Sequence, residues 1–229
     1  ELTFNDTSYS CTIDLNGKTL ALVSNDTNIS QGIHIGGSHL TINDTSPAKS
    51  GKISGAFSNV FGGQDAKLIR LDRGKLTLER GTFTVTSLPH KANAIVIDSV
   101  QGFVTIKDGV KISQPEFNDL GYGRDLDGSG YTLMAENSKD RGGSVIIDGG
   151  EFDGCVKLTA SRAENGSVQI SGGTFKKDVQ VLYEKEENNS DPAVTVNGGT
   201  FEGNVYLQYW PWKESLYMPY RLNGGTFKG

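Results

Sequence analysis

The densest cluster of carboxylates lies in one segment, Gln114-Pro-Glu-Phe-Asn-Asp-Leu-Gly-Tyr-Gly-Arg-Asp-Leu-Asp-Gly-Ser-Gly130. Asp125 and Asp127, followed by Gly128 and Ser129, offer hard oxygens and a glycine to turn the chain, which is what a calcium loop needs. The segment is read as a calcium site outside the EF-hand pattern, as a pair of catalytic carboxylates, or as a solvated surface loop. For catalysis, Glu116, Asp119, Asp125 and Asp127 would supply the acid and the base that glycoside cleavage uses.

A second stretch concentrates rings. Tyr206-Leu-Gln-Tyr-Trp-Pro-Trp-Lys-Glu-Ser-Leu-Tyr-Met-Pro-Tyr220 holds both tryptophans and four of the eight tyrosines. Rigid amphipathic rings at this density make recognition surfaces for sugars or protein partners. The candidate ligand contacts are Tyr206, Tyr209, Trp210, Trp212, Tyr217 and Tyr220. The competing reading is that they fold over an open apolar end and shield it.

His34, His39 and His90 are scattered without metal-ligand spacing. The charged run 184–191 reads as a solvated tip. There is no Gly-x-Ser-x-Gly, no Walker loop and no dinucleotide fingerprint, so no catalytic residue and no organic cofactor is assigned. Six Asn-x-Ser/Thr triplets, at Asn5, Asn25, Asn28, Asn43, Asn165 and Asn188, are glycan acceptors only in a eukaryotic secreted setting.

What must position these segments is a repeat. Val145-Ile-Ile-Asp-Gly-Gly-Glu-Phe152 recurs as Val168-Gln-Ile-Ser-Gly-Gly-Thr-Phe175, as Val194-Thr-Val-Asn-Gly-Gly-Thr-Phe201 and as Tyr220-Arg-Leu-Asn-Gly-Gly-Thr-Phe227. In each unit two apolar residues two apart share one strand face, a glycine pair makes a corner, and a phenylalanine returns to the apolar side. A second strand with the same period follows, as in Val156-x-Leu158. Five apolar side chains give roughly 7–15 kcal/mol. Ordering about 25 residues costs on the order of 25–50 kcal/mol. One unit therefore cannot stand alone and must stack on its neighbours. Strands that recur in one order stack parallel, and the outward positions are polar, so a closed coil with a single inner face is expected. The predicted fold is all-β: a single right-handed parallel β-helix of about eight rungs, spanning residues 1–229 as one domain and roughly 40 Å long.

Two strand types are predicted: 68–71, 94–97, 131–134, 156–158, 179–181 and 205–207, alternating with 76–78, 104–106, 145–147, 168–170, 194–196 and a strand near 221–222. The glycine corner is nearly constant while the opposite connection grows, so one side of the coil is the expected binding edge. Asp148, Ser171, Asn197 and Asn223 follow the second strands as a column and are read as a polar ladder. Cys11 is expected to point inward and Cys155 outward, with no disulfide between them.

Thirty glycines and two methionines suit a turn-rich β chain, and a net charge of −5 does not suit a nucleic-acid-binding surface. No apolar run is long enough for a membrane-spanning helix, so no membrane insertion is expected. The abrupt start at Glu1 and the finish on a repeat phrase predict a piece excised from a longer surface protein.

At Asp14-Leu-Asn-Gly-Lys-Thr-Leu20, at Leu40–Ser46 with Gly51–Gly55, and at the Asn-Gly-Gly-Thr-Phe copies, the chain resembles right-handed parallel β-helix repeats of the pectate-lyase-like superfamily, as found in large surface proteins of gut-associated bacteria. The resemblance implies a secreted or cell-surface bacterial protein. The superfamily holds lyases, hydrolases and non-catalytic adhesins alike. No lyase calcium-and-arginine signature matches here. The expected function is a non-catalytic module binding a host glycan or glycoprotein through variable loops. The alternatives are a polysaccharide lyase or glycosidase and a structural spacer.

Overall fold

The computed structural model describes residues 1–26, 31–57, 65–87, 94–113, 130–136, 143–160, 167–183, 194–209 and 220–228. Every regular element among them is a strand. In chain order the first twelve are β1 (Leu2–Phe4), β2 (Ser10–Asp14), β3 (Thr19–Ser24), β4 (Gln31–Ile35), β5 (His39–Asn43), β6 (Lys52–Phe57), β7 (Ala66–Leu71), β8 (Lys75–Leu78), β9 (Gly81–Ser87), β10 (Ala94–Ser99), β11 (Phe103–Ile106) and β12 (Val110–Ser113). The remainder are β13 (Tyr131–Glu136), β14 (Ser144–Ile147), β15 (Glu151–Phe152), β16 (Cys155–Ala160), β17 (Val168–Ile170), β18 (Thr174–Phe175), β19 (Val179–Tyr183), β20 (Val194–Val196), β21 (Thr200–Phe201), β22 (Val205–Tyr209), β23 (Tyr220–Leu222) and β24 (Thr226–Phe227).

Every third strand joins the same sheet. Sheet A runs β1-β4-β7-β10-β13-β16-β19-β22, sheet B β2-β5-β8-β11-β14-β17-β20-β23, and sheet C β3-β6-β9-β12-β15-β18-β21-β24. All pairings are parallel. Three parallel sheets of eight strands, visited in the fixed order A, B, C, are the arrangement a parallel β-helix requires.

Both predicted strand types are present, as sheets A and B. The phenylalanine, read as the exit from a corner, instead belongs to a third strand. Two residues of Thr-Phe are enough for pairing: Phe152, Phe175, Phe201 and Phe227 align in register. Their rings stack at 4.7, 4.8 and 4.9 Å with interplanar angles of 4–8°. The file continues back through Ile112, Phe83 and Ile53 to Leu20. Inward residues of sheets A and B complete one apolar core, buried through the middle turns and partly buried in the first and last. Stacking like on like works because a parallel in-register ladder sets identical side chains one strand spacing apart, close to the thickness of an aromatic ring.

The two glycines of each corner do different work. The second of each pair, Gly150, Gly173, Gly199 and Gly225, takes φ of 97, 104, 108 and 118°, a region closed to side chains. The first lies against the preceding corner. A Cβ on Gly172, Gly198 or Gly224 would stand 2.5 Å from the carbonyl oxygen of Asp148, Ser171 or Asn197. The polar ladder is formed at Asn223, whose Nδ2 donates to Asn197 Oδ1 at 2.8 Å.

Nearer the start, a carboxylate does the corner's work. Asp44 is fully buried. It accepts from the backbone amides of Gly51 at 2.6 Å, Gly17 at 2.7 Å and Ser46 at 3.2 Å. Burial pushes Asp44 up, but these amides outweigh it and bring the carboxyl down to about 2.

Candidate functional site

Connection length distinguishes the three corners of the coil. From B to C the chain crosses by 15–18, 44–51, 79–80, 107–109, 148–150, 171–173, 197–199 and 223–225, all described. From C to A the early crossings are long, at 58–65, 88–93 and 114–130, and the late ones short, at 153–154, 176–178 and 202–204. From A to B the order reverses: 36–38, 72–74 and 100–102 are short, while 137–143, 161–167, 184–193 and 210–219 are long. The single variable side expected from the sequence is therefore two edges, and both border sheet A. The change occurs at β13, which also carries an irregular register between Tyr131 and Leu133.

The outward positions of sheet A form a file: His34, Arg70, Asp98, Met134, Lys157, Gln180 and Tyr206, each in register with the next. Its first part is a charge network. His34 Nε2 lies 2.8 Å from Asp72 Oδ2, and Arg70 Nε donates to Asp72 Oδ1 at 2.7 Å. Arg70 Nη1 also lies 3.5 Å from Asp98 Oδ2, and Lys67 Nζ lies 3.3 Å from the same oxygen. The Asp98 side chain is only 4% exposed, so its charge must be met by these cations. Burial pushes the Asp72 carboxyl up, but hydrogen bonds from His34 and Arg70, together with the Arg70 charge, hold it below the usual carboxylate range.

Beside the network lies an apolar island. Ile95, Tyr131 and Cys155 are in register on the side of sheet A away from the core, and all three are buried, with Met134 against them. Cys155 thus has the outward direction that strand alternation predicts, yet it is buried. Cys11 is half-buried against the core, and the two cysteines form no disulfide. The last part of the face is neutral. Gln180 Nε2 donates to Gln208 Oε1 at 2.8 Å, and Tyr206 is half-buried beside Gln180.

Glu116, Asp119, Asp125, Asp127, Trp210, Trp212 and Tyr217 lie outside the described residues, as does His90. For Tyr209 the described fact is its backbone register with Tyr183. Tyr220 faces the coil: its hydroxyl donates to the carbonyl of Gln208, and burial pushes it up. That bond satisfies an edge carbonyl. Leu222 and Phe227 are 53% and 49% exposed, and residues 210–219, which carry the shielding reading, lie outside the described residues.

Counted from Asp125, Glu136 occupies the twelfth position, where an EF-hand places its bidentate ligand. Residues 131–136 form an extended strand, which carries position 136 about 16 Å beyond position 131. An EF-hand needs its seventh and twelfth positions on one ion, so that geometry is excluded. Among the described residues no three of His, Cys, Asp and Glu are grouped to hold a metal ion.

The charge network was not anticipated. Its members lie on or just after successive A strands, but unequal crossings between them, above all 44–51 against 79–80, destroy any fixed sequence period. Aligning the predicted strands at 68–71 and 94–97 by their core residues would have brought Arg70 and Asp98 together. No protein-family model matches the chain, and no curated protein or solved structure is significantly similar to it.

Proposed function

We propose that the chain is a non-catalytic, extracellular bacterial module, a right-handed coil of about eight rungs. In this reading it binds a host glycan or glycoprotein on the outer face of sheet A and the segments bordering it. One observation carries the reading: both edges of variable length border this one sheet. Insertions at either edge change the surroundings of the same face, as a display scaffold needs. Right-handed crossovers are the hand parallel strands favour.

The face offers fixed planar hydrogen-bonding groups, Arg70, Asp72, Gln180 and Gln208, and a tyrosine ring. These are groups that meet sugar hydroxyls and C–H faces. Asp72 is held as an ionised acceptor, which suits hydroxyl binding and not the protonated acid that glycoside cleavage needs. The aromatic segment begins in β22, the strand that carries Tyr206 and Gln208, and continues past its end in the sequence.

The test uses immobilised mucin and a panel of free host glycans. The W210A/W212A and Q180A/Y206A variants should each bind at least about tenfold more weakly, the loss of roughly 1.4 kcal/mol of contact. Variants that bind like the native chain, or a native chain that binds no member of the panel, would overturn the assignment.

A second reading rests on His34. A histidine 2.8 Å from a carboxylate is the arrangement of a general base, and it would make the face that of a polysaccharide lyase or glycosidase. Glycan turnover lost in H34A would support it. Absence of turnover in the native chain removes it.

A further inference from the structure

We propose that the ligand of the sheet A face is an uncharged glycan, and that the face rejects sialylated and sulfated forms of it. This rests on the glycan-binding reading above and adds the charge class of the ligand.

An acidic sugar is held best by an arginine that offers two N–H groups to one carboxylate or sulfate. Arg70 has two edges of that kind, Nε with Nη2 and Nη1 with Nη2. Each already has one nitrogen turned to the protein: Nε donates to Asp72 Oδ1 at 2.7 Å, and Nη1 lies 3.5 Å from Asp98 Oδ2. Lys67 Nζ lies 3.3 Å from the same Asp98 oxygen. His34 stands between carboxylates, with Nε2 2.8 Å from Asp72 Oδ2 and Nδ1 3.6 Å from Glu1 Oε1. Lys157, the other cation of the outward file, is partnered as well. The described cations of this face are therefore met by the protein, while Asp72 is held ionised by its hydrogen bonds.

The neutral part of the face has the opposite character. The bond from Gln180 Nε2 to Gln208 Oε1 leaves Gln180 Oε1 to accept and Gln208 Nε2 to donate. An acceptor and a donor side by side match a hydroxyl, which does both. They mismatch a sulfate or a carboxylate, which only accepts.

The edges add a longer-ranged term. The crossings from C to A and from A to B hold ten Lys and Arg against eighteen Asp and Glu, a net charge of −8. The rest of the chain holds twelve against nine, a net charge of +3. The largest shares are −3 in 114–130, at one edge, and −3 in 184–193, at the other. An anion drawn to sheet A meets edges of its own sign.

The experiment titrates the 229-residue chain with pairs of oligosaccharides that differ only by a terminal sialic acid or a sulfate. It is run at about 10 mM and about 1 M salt, where the screening length falls from about 30 Å to about 3 Å. At low salt the uncharged member should bind at least about tenfold more tightly, and its own affinity should change little with salt. The gap should narrow at high salt. In E184Q/E186Q/E187Q the uncharged member should bind as it does to the native chain, with the low-salt gap reduced about two- to fivefold. An acidic member that binds as tightly as its uncharged partner, or a gap that both salt and the triple variant leave unchanged, would overturn the charge assignment while the glycan-binding reading stands. A chain that binds neither member of any pair would overturn both.

Discussion

Replacing Phe175 with alanine tests whether the stacked file is what holds successive turns together. Its ring is fully buried and lies between Phe152 at 4.7 Å and Phe201 at 4.8 Å. Phe-to-Ala in a core costs about 3–5 kcal/mol, and losing two stacked neighbours places F175A in the upper half of that range. Phe227 supplies the comparison. It is 49% exposed and has one stacked neighbour among the described residues, Phe201 at 4.9 Å. Half of a buried phenylalanine is about 1 kcal/mol, so F227A should cost about 1–2 kcal/mol. Urea denaturation followed by far-UV circular dichroism measures both, with the midpoint compared at constant slope. In a stacked array stability is a sum of unit and neighbour terms, so the ratio between the two variants is the informative quantity. Equal costs for F175A and F227A would refute the reasoning, because neither the full burial of Phe175 nor its second stacked neighbour would then count.

The glycine corners and the buried carboxylate give two more expectations. G198A drives a Cβ to 2.5 Å from the Ser171 carbonyl and should cost about 1–3 kcal/mol, while G199A, at φ 108°, should cost a similar amount through backbone strain; an unchanged urea midpoint in either would remove that corner's account. Asp44 is depressed, so its contribution is present above the ordinary carboxylate range and is lost as pH falls from about 4 through about 2. The amide proton shifts of Gly17 and Gly51 should titrate with a midpoint near 2 in the native chain and not in D44N; a midpoint near 4 would mean that the amides do not hold the carboxylate.

The architecture was legible because burial imposes a period. Val145, Ile147, Val156 and Leu158 alternate strictly, and a chain that buries one face of each strand has no other way to write it. In the later turns the third sheet was not, because Thr174-Phe175 and Thr200-Phe201 are too short to show any period; parallel register with the strand before is what makes them strands. The site was less legible still. Lys67, Arg70 and Asp98 carry no motif, since Asp98 meets the two cations across strands rather than along one. Connection lengths were readable from the sequence, but with two strands per turn assumed, two different edges collapsed into a single variable side.

The reason insertions surround sheet A lies at the opposite corner. There, the first glycine of each pair has the carbonyl of the preceding corner in the place of a side chain, and the second has a backbone angle only glycine takes freely. Backbone packs directly on backbone, so an added residue would push the turns apart and break the phenylalanine file that follows two residues later. The early corners obey the same constraint by other means: the 44–51 crossing is longer, but Asp44 ties its two ends together through Gly17 and Gly51. The C-to-A and A-to-B crossings show such a lock in short turns, at Gly203 against the Lys177 backbone and at Gly74 against Gly37 and Ser38; in the longer turns length accumulates at little cost, since loop closure grows only slowly with length. A coil held to nearly constant length at one corner and variable at the other two has one sheet bordered by both variable edges, and the proposed ligand face is the outer face of that sheet.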